Sequence, residues 1–364
     1  MAMPITRILP VSLWRPIKMI NQKGFTLIEL MISITLGLII SAAAVLLFMT
    51  GQKSLSMQQS VSDLQDNANF GLNYITKDLR LMNLNSTKAI MDDQTVLGGI
   101  VLTSSVNPVN IGTKAVPINV SNLSSSIKGT TAGLNFLSRS AGFTTGTSPE
   151  WSGASNVQVS GSDQPSDQLT IQYMPQYRIE ERGTGKVQTY VGGFDCEGNE
   201  LAFPVTAGRY MVVQRYFLRA DVNKSANEPN QTLALACDAG TYPETGSPAA
   251  ITGFGDAGEI VMKRVDHLRI LLGVQNDSGR RYMSIKEYMD AAAPHPRIVS
   301  IQFGILARSL QSVSETKMIK DDQTFVVLDQ TVTVKTPKTS SPKYVRQVIS
   351  QTIALRNAIG ERGE

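Results

Sequence analysis

The sequence is poor in the residues from which most catalytic and metal centres are built: of 364 residues, two are histidine, two cysteine and two tryptophan. His267 and His295 have no partner at ligand spacing, which leaves a zinc site without its donors. Cys196 and Cys237 are too far apart in the chain for a redox pair of the CxxC kind. No nucleophile, base and orienting group stand together as a catalytic constellation requires. The chain therefore reads as non-enzymatic, with no cofactor and no metal. Acids are missing from the first 24 residues, where Arg7, Arg15, Lys18 and Lys23 supply the whole formal charge of +4. Without these four the chain has 30 basic residues against 30 acids, so net charge gives no footprint for nucleic acid.

Two further absences define the N-terminal region. No charged residue occurs from Leu30 to Gln52, and no proline from Phe25 to Asn107. The roughly 23 apolar positions from Leu27 to Met49 make a helix of about 35 Å, enough for a hydrocarbon core of about 30 Å. Basic residues before the span and none directly after it predict an N-in, single-pass orientation, with everything beyond Gly51 outside, in the periplasm of a Gram-negative cell. An ordinary secretory signal is cut after its apolar core at small residues, but Ala42, Ala43 and Ala44 lie inside the core. The unusual residues precede it: Lys23-Gly24-Phe25-Thr26-Leu27-Ile28-Glu29-Leu30 places a carboxylate where the span begins. An acid in a span costs about 2.5–3.5 kcal/mol at the centre and less near an end, so Glu29 calls for a compensating charge.

KGFTLIELM resembles the type III signal of type IV pilins and type II secretion pseudopilins. That resemblance implies cleavage after Gly24 by a prepilin peptidase, N-methylation of the new terminal Phe25, and an assembly role for Glu29, which neutralises the terminal amine of a neighbouring subunit. A carboxylate and an ammonium leaving water together are tolerable where either alone is not. The 1–24 leader is long for this family, and a start at Met19 would give the short leader MINQKG.

Past the span, Met57, Val61, Leu64, Ala68, Leu72, Ile75, Leu79 and Met82 recur at three- and four-residue steps, with Asp63, Asp66, Asn67, Asn73, Lys77 and Asp78 elsewhere. One helix of some 55–60 residues is predicted, divided into a membrane or filament-core part, 25–51, and an amphipathic part, 52–84. The remainder, 85–364, reads as a β-rich periplasmic domain. From Asn83 to Gln168 it is rich in Ser, Thr, Asn and Gly and reads as loops with short strands. Alternation then predicts half-buried strands through Leu169, Ile171 and Tyr173; through Leu268, Ile270, Leu272 and Val274; through Val299, Ile301, Phe303 and Ile305; and through Ile349, Ile353 and Leu355. The fold class is α+β: a long N-terminal helix packed on an antiparallel sheet, pilin-like.

The order GEIVMKRVDHLRILLGVQ, RIVSIQFGILARS, YVRQVISQTIALRNAIG is similar to the PilW-type minor pilins. This resemblance implies a role in priming pilus assembly near the tip, with other minor pilins, the major pilin and the inner membrane as partners and a tip adhesin as cargo. Two alternatives stay open, a J-type pseudopilin of type II secretion and a pilus-borne adhesin or binding module.

The remaining motifs have structural readings. In an oxidising periplasm Cys196 and Cys237 are expected to form a disulfide, closing a loop of about 40 residues at about 4 kcal/mol on the entropy model. Gly253–Gly258 matches GxGxxG but opens a strand, not a helix. Gly183-Thr184-Gly185-Lys186 reads as a hairpin turn between RIEER and VQTYV. Asn276-Asp277-Ser278-Gly279 has one carboxylate and reads as a turn rather than a calcium loop. Asp321, Asp322, Arg280 and Arg281 read as solvated surface charge, and both histidines as structural or solvated.

Overall fold

The computed structural model describes residues 24–86, 88–104, 109–110, 112, 118–123, 127, 133–144, 150–224, 228, 230–246, 251–313, 319–320, 322–336 and 342–359. Leader residues 1–23, with Met19 and the four basic residues, lie outside the described residues, as does Asp321. The chain divides into two compact units, Met1–Gln52 and Lys53–Glu364.

Helix α1 runs Leu27–Leu79, 53 residues. In the first unit its residues are all exposed, and the helix contains an 18-residue window of mean hydropathy 2.5, long and apolar enough to cross a membrane. In the second unit Leu64, Ala68, Leu72, Ile75, Leu79 and Met82 are buried, while Met57 and Val61 are half-buried. Asp78 departs from the expected polar face: it is buried and its Oδ2 accepts a hydrogen bond of 2.6 Å from the Tyr216 hydroxyl. Burial raises its carboxyl above the usual range, partly opposed by the hydrogen bond from Tyr216.

The helix stops because its last turn tightens and then reverses. Leu81 and Met82 donate to the carbonyls of Asp78 and Leu79, three residues back, and Asn83 and Asn85 take left-handed backbone angles (φ 60° and 54°) that asparagine tolerates. Asn357 Nδ2 donates to the freed carbonyls of Arg80, 3.1 Å, and Met82, 3.0 Å.

The domain is built from antiparallel sheets. One has the order β11 (Glu259–Lys263), β10 (Leu233–Pro243), β9 (Tyr210–Ala220), β5 (Leu169–Tyr173). A second has the order β13 (Gly279–Ser284), β12 (Val265–Asn276), β14 (Arg297–Arg308), β17 (Arg346–Ala354). A third joins β15 (Thr324–Val327), β16 (Gln330–Val334), β3 (Val157–Val159) and β4 (Ser162–Asp163). Three strands, β6 (Arg178–Arg182), β7 (Val187–Phe194) and β8 (Glu200–Pro204), form a meander, and β1 (Val109–Asn110) pairs with β2 (Asn119–Val120). A short helix α2, Ile285–Asp290, starts with a Ser284/Glu287 capping box.

Of the strands expected to be half-buried, β5 and β12 are covered more completely, whereas β17 keeps one exposed side. All five residues of β5 and the first ten of β12 are buried. The helix residues Leu64 to Met82 share one core with the apolar residues of β12 and β14, and the opposite face of β14 meets Val327, Val332 and Val334 through Leu306. Thr170 and Gln172 of β5 are buried against loops. Gln172 Nε2 donates to the carbonyls of Gly98, 2.7 Å, and Asn122, 2.9 Å, and Asn122 Nδ2 to those of Asp92 and Thr95. The Asn-rich stretch thus supplies side-chain amides that satisfy the backbone of buried loops, as buried carbonyls require.

Candidate functional site

The candidate assembly segment is Gly24–Leu30. Gly24, Phe25 and Thr26 precede the helix in non-helical chain, and Phe25 is 85% exposed. Thr26 and Glu29 form a capping box. Glu29 N donates to Thr26 Oγ1 at 3.3 Å, and Glu29 Oε2 accepts from Thr26 N at 2.9 Å and from Thr26 Oγ1 at 3.0 Å. The Thr-x-x-Glu spacing is a readable helix-start signature that the charge argument had passed over. Both contacts to the carboxylate use Oε2.

In the domain, Cys196 and Cys237 are bonded, with Cα atoms 6.2 Å apart, tying the turn after β7 to β10. The residues beside them converge too. Carboxylates of Glu197, Asp238 and Asp256 lie within 4.8 Å of one another, a grouping that sequence spacing hid because the three come from separate turns and strands. Burial and the neighbouring Asp256 push the Glu197 carboxyl up to about 7. Asp238, though, is committed elsewhere: its Oδ2 pairs with Arg215 at 2.7 Å and it accepts from Gly255 N. Gly253–Gly258 ends directly at β11 with no helix after it, so it cradles no dinucleotide; it serves Asp238 and lays Phe254 on Phe136, ring centroids 4.5 Å apart. Gly183–Lys186 closes the β6–β7 hairpin, where Arg182 pairs with Val187. Asn276–Gly279 closes the β12–β13 hairpin, its Asn276 Oδ1 accepting from Ser278 N and Oγ. Arg280, Arg281 and Asp322 are exposed.

Both histidines sit inside the structure. His295 Nδ1 is 2.9 Å from Asp93 Oδ1, and its Nε2 is 3.0 Å from the Ala291 carbonyl. His267 is fully buried, its Nε2 3.2 Å from Gln330 Oε1 and its Nδ1 3.3 Å from the hydroxyls of Ser155 and Ser166. A neutral ring with the proton on Nε2 satisfies all three, and burial pushes the pKa down to about 4. Because the folded pKa lies below the unfolded one, neutral His267 contributes stability above about pH 6.5 that is lost as pH falls toward 4, about 3 kcal/mol by pH 4. Several buried carboxyls with raised pKa values, Asp78 and Asp167 among them, act in the opposite direction, so the measurement is a difference. His267→Gln is expected to flatten the fall in unfolding free energy between pH 7 and 4 relative to the parent; equal slopes in the two proteins would refute this.

The chain matches two family models. Residues 19–45 match the prokaryotic N-terminal methylation motif, and residues 215–357 match the type IV pilus-assembly protein W family. The two matches support a PilW-type pilin. No curated protein and no solved structure matches it. As a type IV pilus-related minor pilin it combines membrane anchoring with pilus association, and its family is a structural one.

The PilW match covers β9 from Arg215 through the Ala354-Leu355-Arg356-Asn357 run, and in the structure that run locks α1 to the sheet. Leu355 and Ala358 are buried, Asn357 caps the carbonyls of Arg80 and Met82, and its own carbonyl accepts from Asn83 Nδ2 at 2.9 Å. Asn357→Ala is expected to lower stability by about 1–2 kcal/mol, read by denaturant unfolding. Unchanged stability would mean that water replaces the amide at no cost.

Proposed function

We propose that this PilW-type protein primes or supports type IV pilus assembly, entering the fibre through α1 near the tip in company with other minor pilins and the major pilin. The observation that supports it most is the exposed, uncharged surface from Leu30 to Gln52, preceded by a single acid, Glu29, in the first turn of the helix. An exposed apolar face of this length fits first a bilayer and then a bundle of like helices. On this reading a prepilin peptidase cuts after Gly24 and Phe25 is N-methylated. Glu29 Oε1 meets the terminal ammonium of a neighbouring subunit, and the domain from Gln52 onward stands in the periplasm, closed by the Cys196–Cys237 bridge.

Mass spectrometry of the protein from its own cells tests the processing, with monomethylated Phe25 as the expected first residue; a mature chain that begins upstream of Gly24 would contradict it. Deletion tests the role. Loss of surface pili and twitching is the expected outcome, whereas loss of exoprotein secretion with pili intact would move the assignment to a J-type pseudopilin.

A further inference from the structure

Sheet edges are templates for pairing with another chain, and proteins blunt them with charge, proline, bulges, brevity or a covering loop. Nearly every edge among the described residues is blunted. β5 is covered by the 99–101 segment, with Gln172 N donating to the Gly99 carbonyl and Val101 N to that of Thr170. β4 and β15 have two and four residues. β6 reads Arg-Ile-Glu-Glu-Arg, β8 carries Glu200 and Pro204, and β13 carries Arg280 and Arg281. β11 has Glu259 and Lys263, and its pairing is interrupted by a bulge at Leu235/Ala236.

β17 differs on each count. It has nine residues, Arg-Gln-Val-Ile-Ser-Gln-Thr-Ile-Ala, paired with β14 without a register shift, and no proline. Its one charge, Arg346, is turned inward, its Nε donating to Asp266 Oδ2 at 2.7 Å with the side chain 4% exposed. Both faces of the strand are used. Gln351 accepts from Thr76 of α1 at 3.0 Å, Ile353 joins the main core, and Val348 packs with Val327, Val332 and Val334. The edge away from β14 receives no backbone hydrogen bond from any described residue, and Gln347, Ser350, Thr352 and Ala354 are exposed. What lacks a partner is thus a row of outward N–H and C=O groups, which another extended backbone satisfies.

We propose that β17 is a docking edge that takes up an extended, uncharged, proline-free segment of the adjacent subunit in the fibre. Main-chain hydrogen bonds would hold the segment, and the small polar side chains of Ser350 and Thr352 would admit it. The proposal rests on the filament reading given above, which also decides the occupant. Subunits that pack their helices in parallel in a fibre meet through heterologous contacts, whereas β17 of one copy pairing antiparallel with β17 of another needs an isologous, two-fold contact. The occupant is accordingly a different segment of the neighbour.

The test uses the full-length protein in its own cells, with the photo-crosslinking residue p-benzoylphenylalanine placed at Ser350 or Thr352, and at Arg280 on β13 as the control. The expected result is a crosslink from both edge positions into one segment of one pilus subunit, at residues two apart, the spacing of a paired strand. Crosslinks no stronger than from Arg280, crosslinks scattered over many sites, or crosslinks between two β17 strands would overturn the proposal. The doubly substituted Ser350→Lys, Thr352→Lys chain is expected to keep its thermal midpoint while its amount in sheared pili drops at least fivefold. Wild-type incorporation of this variant would likewise defeat the edge proposal while leaving the filament reading intact. That reading fails separately, if deletion of the whole gene leaves pili and twitching unchanged.

Discussion

Glu29→Gln is expected to be as defective as Glu29→Ala in fibre entry, with at least a tenfold fall in the amount recovered in sheared pili and an unchanged amount in the membrane fraction. The two substitutions separate the cap that the structure shows from the charge pair proposed above. As part of a capping box, Glu29 needs only an acceptor oxygen for Thr26 N, and glutamine supplies one; the box itself is worth about 1 kcal/mol of helix stability. As the counter-charge to a terminal ammonium in an apolar bundle it needs the full negative charge, because an unpaired buried ammonium costs several kcal/mol. A tenfold effect needs only about 1.4 kcal/mol, so losing the pair in the fibre is ample. If Glu29→Gln assembles normally while Glu29→Ala does not, the cap is what matters and the charge-pair account fails. Glu29→Asp is informative as well, since it keeps the charge but shortens the reach by one methylene.

The N-terminal reading was legible because its physics is one-dimensional. A charge-free run and a single acid can be counted along the chain, and the helix from Leu27 to Leu79 depends on little else. The amphipathic face from Leu64 to Met82 could be read from period alone. Asp78 could not, because its burial depends on Tyr216, 138 positions away. The same limit applied to the strands. Alternation in Leu169–Tyr173 implied one wet face, yet Thr170 and Gln172 are covered by loops whose Asn and Ser content reads only as loop. There the polar residues are interior ligands for backbone groups, a role that composition does not distinguish from exposure. The acidic trio of Glu197, Asp238 and Asp256 went unseen for a related reason: a disulfide and two turns bring it together, and no spacing records that.

Truncating Glu228 is expected to have the largest effect on the folded domain. Glu228 accepts from two guanidiniums at once. Its Oε1 lies 2.8 Å from Arg264 Nη2 and its Oε2 pairs with Arg308, and Asp221 takes Arg264 Nη1 at 2.7 Å. All four side chains are at least nine-tenths buried. Arg308 depends on this carboxylate most, since its Nε and Nη1 have no hydrogen-bond partner among the described residues and its other polar contact is the Tyr344 ring, 4.9 Å from the guanidinium carbon. Glu228→Ala therefore leaves a buried cation without its anion, a loss of about 3–5 kcal/mol, to be read as the change in denaturant midpoint at constant m-value. Arg308→Met should cost less, because Glu228 keeps Arg264, and the Glu228→Leu, Arg308→Met double variant should be more stable than Glu228→Ala alone, since removing both charges removes the desolvation penalty with the attraction. Were the double variant's loss the sum of the two single losses, the pair would be acting independently and the ion cluster would not be the unit that holds β12 and β14 to the loop after β9.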